Sequence, residues 1–168
     1  MDLSVVLAVT GTSVAVITDL VTGKVYNRWI ILGWIAGITF QMARHGPEGI
    51  LVFLAGACTP LLLCGWLAAT RMLGAGDVKL FSFLGGILGV TPVFRCIIYS
   101  FFSGAVLSVS VLCISGDLLP RLMKFKNYIR TCISDKKLYS YEDSKDQVGK
   151  IHFTAAILMG VLLWAGGL

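Results

Sequence analysis

The chain alternates long apolar stretches with short polar breaks. Six stretches stand out, at residues 3–18, 29–43, 49–69, 80–94, 96–115 and 151–168. A helix needs about 20 residues to cross the hydrocarbon core of a bilayer. The third and fifth stretches meet that length. The first, second and fourth fall short of it, either because their tips line a water-accessible cavity or because the number of spans differs from six. The expected architecture is all-α: a polytopic membrane helix bundle of about six transmembrane helices.

Composition supports this reading. Of 168 residues, 57% are hydrophobic and 14% charged, with a mean hydropathy of +0.85. Soluble domains carry about 25% charged residues, so this chain has too little polar surface to cover a globule in water. A single membrane domain over residues 1–168 is expected. The N-terminus is unlike a cleaved signal peptide, because Asp2 precedes the apolar run and no basic residue does. The five cysteines, Cys58, Cys64, Cys96, Cys113 and Cys132, form no C-x-x-C pair. They read as small apolar packing residues rather than metal ligands, and no metal or cofactor is expected.

Charge gives the orientation. With the N-terminus outside and alternating spans, the inner loops hold Lys24, Arg28, Arg71, Lys79, Arg121, Lys124, Lys126, Arg130, Lys136, Lys137, Lys145 and Lys150. The outer loops hold only Arg44 and Arg95. Twelve against two is the bias of a positive-inside topology. That orientation accounts for the net charge of +5 without nucleic acid as a partner. A basic cytoplasmic segment at about 117–150 is the one long polar stretch. Its first half spaces Leu118, Leu122, Phe125, Ile129 and Ile133 as an amphipathic helix would, suited to an anionic leaflet. His45 and His152 fall at span boundaries, as interfacial residues do. Gly33-x-x-x-Gly37 and Gly85-x-x-x-Gly89 mark candidate close helix contacts.

Two aspartates carry the candidate chemistry. Asp77 follows Gly74-Ala75-Gly76 at the edge of the fourth stretch, and Asp19 ends the first. The topology puts both on the cytoplasmic side. Carboxylates at membrane depth are costly and persist mainly where they function. Two carboxylates about 3 Å apart cannot both ionise and so share a proton. One then takes a proton from water while the other donates to the carbonyl oxygen under attack. Gly74 and Gly76 leave the backbone beside Asp77 bare for a substrate strand. The helix dipoles favour Asp77 as the ionised base and Asp19 as the protonated acid. Lys79, two residues from Asp77, points to another side of the helix and suits headgroup contact. Two other readings of the same residues stay open. In one, the aspartates carry a proton or cation through a small transporter. In the other, they merely cap helices in an assembly subunit, Asp77 capping a helix that starts near Val78.

Gly74-Ala75-Gly76-Asp77-Val78-Lys79-Leu80 resembles the G-x-G-D-x-K-L signature of the type IV prepilin peptidases. The family's second motif, an aspartate followed by a short basic turn ending in Ile-Pro-Asn, resembles the segment from Asp19 through Lys24 to Asn27, with Tyr26 in place of the proline. Presenilin-type proteases differ, since they place one aspartate after a tyrosine and Asp19 follows Thr18. The resemblance implies an aspartic endopeptidase of the cytoplasmic membrane. Its active site would face the cytoplasm, with Asp19 and Asp77 catalytic and Gly74, Gly76, Lys79 and Asn27 supporting them. It implies a prepilin-like substrate with a basic leader, cut after a glycine, and an apolar helix embedded in the lipid bilayer. Larger members add a cysteine-rich N-terminal segment and methylate the product. The expectation here is hydrolysis without methyl transfer, as in the short forms serving Tad-type pili or archaeal flagella.

Overall fold

A computed structural model describes residues 3–22, 27–70, 73–115 and 153–167. The chain divides into two compact units, residues 1–104 with 152–168, and residues 105–151. The second unit is described only for the end of one helix, through Ser115. The expected amphipathic helix and polar segment of 117–150, together with Lys24, Tyr26, Arg71, Cys132 and His152, lie outside the described residues.

Six α-helices and one 3-10 turn make up the described residues: α1 (Leu3–Thr22), α2 (Asn27–His45), the 3-10 turn (Gly46–Glu48), α3 (Gly49–Ala69), α4 (Ala75–Leu88), α5 (Val90–Ser115) and α6 (Phe153–Ala165). The all-α expectation holds. By length and apolarity, three stretches suffice to cross a membrane: α1, the 27–69 stretch that contains α2 and α3, and Val90–Val111 of α5. α4 and α6, with 14 and 13 residues, extend only about 20 Å each. A helical membrane protein fits, and the described residues supply three stretches of that length, one of which holds two helices.

The helices alternate in direction, as their contacts show. Gly46, with φ +62°, turns the chain between α2 and α3, which is why glycine is needed there. The Phe53 ring of α3 then packs on Gly37 of α2. α4 runs alongside α2 in the same direction. Lys79 meets Asn27 at one end, Phe83 covers Gly33 further along, and Gln41 bonds the carbonyls of Gly86 and Ile87 at the other end. α5 and α6 are antiparallel, with Gly104 against Phe153 and Ser100 against Gly160.

α4 is the centre of the first unit. It packs against α1, α2, α3 and α6, and Val78 through Ile87 are buried apart from Lys79. A helix apolar all round is an interior helix. In lipid there is little hydrophobic drive between helices, so close fit and small residues hold them together. The tightest place is the crossing of α3 and α4. There a Cβ on Gly56 would collide with the backbone carbonyl of Gly85, and one on Gly85 with that of Gly56. Phe83 is seated against both Gly11 of α1 and Gly33 of α2. All four glycines of the two expected pairs lie at helix contacts: Gly33 and Gly37 under phenylalanine rings, Gly85 against Gly56, and Gly89 with its Cα 3.1 Å from where a Cβ on Gly56 would lie. Gly89 also ends α4, with φ +87°.

Gly89 also corrects a boundary. The sequence suggested spans of 80–94 and 96–115 with Arg95 in a loop between them. The break is instead at Gly89, and Arg95 lies inside α5, beginning at Val90. The left-handed backbone of Gly89 turns the chain in a single residue. Pro92 is in the first turn of α5, where a missing N–H costs nothing. Of the cysteines described, Cys64 and Cys96 are buried packing residues, and Cys58 and Cys113 are exposed on their helices.

Candidate active site

Asp77 is the third residue of α4, not its cap. Gly74 caps the helix in extended conformation, φ −65° and ψ 134°. Its carbonyl accepts hydrogen bonds from the N–H groups of Asp77 (3.0 Å) and Val78 (3.3 Å). The first turn of a helix favours negative charge, because unpaired N–H groups gather there. The half-buried Asp77 carboxylate folds back toward Gly74, so that a Cβ on Gly74 would lie 2.8 Å from Oδ2. The space left by the missing side chain is occupied by the carboxylate itself. Gly76, also half-buried, is the second residue of α4.

Asp19 lies within the last turn of α1, which continues to Thr22 rather than stopping at Thr18. It too is half-buried. The Thr154 hydroxyl, at the start of α6, donates a 2.7 Å hydrogen bond to its Oδ2. The preceding residue, Phe153, packs edge-on against Phe81 of α4, with ring centroids 6.4 Å apart. Phe81 is one helical turn from Asp77. The first turn of α6 thus touches both the end of α1 that carries Asp19 and the part of α4 that carries Asp77. The two aspartates occupy the same end of the bundle.

Lys79 and Asn27 meet at that end. Lys79 Nζ donates to Asn27 Oδ1 over 2.9 Å, in an exposed position. The ammonium ties the start of α4 to the start of α2, on a different side of α4 from Asp77. Parallel packing of α2 and α4 brings the two N-termini together and makes this tie possible. Below the aspartates runs an apolar groove lined by Gly11, Ala15, Ile30, Gly33, Leu80 and Phe83, among others. Ala15 is one turn from Asp19, and Leu80 is one turn from Asp77.

Sequence reasoning gave Thr154 no role. A lone threonine at the start of an apolar stretch carries no signal until its partner is known. The first described turn of α6 reaches Asp19 through Thr154.

A helical membrane protein with two half-buried carboxylates at one end of its bundle is the class that fold and site define. The chain belongs to the type IV leader peptidase family, whose profile matches residues 6–109, more than half of its length. The family is one of peptidases. No curated protein matches the chain, and no solved structure does.

Proposed function

We propose that this chain is an aspartic endopeptidase that removes the basic leader from type IV prepilin-like precursors at the cytoplasmic face of the membrane, with Asp19 and Asp77 as its catalytic pair. The observation that carries the reading is the position of these carboxylates. They are far apart in sequence, on α1 and α4, yet stand at one end of the bundle in a chain of a leader peptidase family.

The chemistry follows from a pair of carboxyl groups that share one proton. The ionised member accepts a proton from water as its oxygen attacks the scissile carbonyl carbon. The protonated member donates to the carbonyl oxygen. The tetrahedral intermediate collapses as the amide nitrogen is protonated, and the C–N bond breaks. The positive end of α4 lies beside the developing charge. The groove lined by Ala15, Ile30 and Leu80, among others, is apolar, as is the helix that follows the leader in such a precursor. Lys79 and Asn27 support the site by fixing α2 against α4.

The reading is tested with purified protein in detergent and a precursor peptide carrying a basic leader, a glycine and an apolar helix. Release of the leader, with mass spectrometry giving a new N-terminus just after the glycine, is the expected result. Proton-coupled uptake into liposomes with no cleavage would replace the peptidase by a transporter.

A further inference from the structure

Thr154 is 1% exposed, and its hydroxyl does something unlike several of its counterparts. The hydroxyls of Thr10, Thr12, Thr18, Thr39, Thr59 and Thr70 bond carbonyls one turn back in their own helices. The hydroxyl of Thr154 instead crosses from α6 to α1 and donates to Asp19 Oδ2. The turn that carries it is held from several sides. Phe153 packs on Phe81, with centroids 6.4 Å apart, and on Phe101, with centroids 5.5 Å apart, and it lies against Gly104. Further along α6, Gly160 packs onto the backbone of α5 at Cys96 and Ser100 so closely that a Cβ would collide with it. α6 therefore cannot shift without disturbing α4 and α5.

We propose that Thr154 is a positioning residue for the catalytic pair. Its hydroxyl fixes the rotation of the Asp19 carboxylate, while its neighbour Phe153 registers that carboxylate against the helix of Asp77. The inference rests on the reading of Asp19 and Asp77 as catalytic. An aspartate side chain turns about two bonds, and the Asp19 carboxylate is only half-buried. A hydrogen bond from a fully enclosed hydroxyl restricts that rotation. Attack by a water held between two carboxylates needs both in register, and small displacements cost large factors in rate. Thr154 lies outside the 6–109 segment matched by the family, so this role belongs to the part of the chain that follows it.

The test compares Thr154→Val, Thr154→Ser and Asp19→Asn in the full chain, purified in detergent, with the precursor peptide. Valine keeps the shape and removes the hydroxyl. Thr154→Ala serves as the hydroxyl-free variant if valine does not fold. The expected result is a loss of about tenfold or more in kcat at a temperature where every variant is folded, with KM unchanged and with serine restoring most of the rate. Wild-type kcat in the hydroxyl-free variants would overturn the inference. So would a rate loss that tracks a fall in melting temperature and is not rescued by serine, which marks a packing role. Asp19→Asn separates the two levels. If it is inactive while Thr154→Val is fully active, only the positioning role fails. If it still cleaves, the catalytic pair itself fails.

Discussion

The Asp77 carboxylate fills the space where a side chain on Gly74 would be: a Cβ there would lie 2.8 Å from Oδ2. Cap residue and carboxylate are thus a fitted pair. Gly74→Ala is expected to turn the Asp77 side chain away, because the end of a flexible side chain yields more easily than backbone. Cleavage should fall by about 100-fold while the melting temperature changes little. Steady-state kinetics and thermal unfolding of the same preparation check this.

The crossing at Gly56 and Gly85 yields the opposite pattern. Both Cβ positions run into backbone carbonyls, which cannot rotate aside. Gly56→Ala or Gly85→Ala should separate α3 from α4 and destabilise the fold by about 1–3 kcal/mol or more. Activity should be lost in step with stability. Equilibrium unfolding in mixed micelles measures the loss.

Gln41 secures the other end of α4. It is 3% exposed, and its Nε2 donates to the carbonyls of Ile87 (3.0 Å) and Gly86 (3.3 Å). Those groups lie in the last turn of α4, where carbonyls lack partners within the helix. Gln41→Leu should destabilise by about 1–3 kcal/mol, with kcat retained in the fraction that stays folded. Unfolding curves and single-turnover rates separate the two effects.

The tie between Lys79 and Asn27 is exposed, so water competes for both groups. Lys79→Ala and Asn27→Ala should each cost less than about 1 kcal/mol. A double-mutant cycle should give a coupling of a few tenths of a kcal/mol. Near-normal cleavage by Lys79→Ala would show that the lysine acts through helix placement and not in the bond-breaking step.

Much of this arrangement was legible in the sequence because its causes are local. The bounds of α3 fall where the apolar run begins and ends, at Gly49 and Ala69. Asp77 was visible as an acid in a first helical turn, and the charge bias gave both aspartates one side. What was not legible depends on backbone conformation or on distant partners. Hydropathy continues unbroken through Gly89, so its positive φ was hidden, and Arg95 drew the boundary too far along the chain. The contact of Gly56 with Gly85 was half seen, because no pattern within one helix names the partner in another. Thr154 was invisible for the same reason: its meaning comes from an aspartate at the opposite end of the sequence.

The central claim is that Asp19 and Asp77 together hydrolyse the leader bond, and the most direct test is cleavage of the precursor peptide by Asp19→Asn and Asp77→Asn. The account predicts that each variant folds, retains the melting temperature of the parent to within a few degrees, and releases no leader. Cleavage at the parental rate by either variant would contradict it.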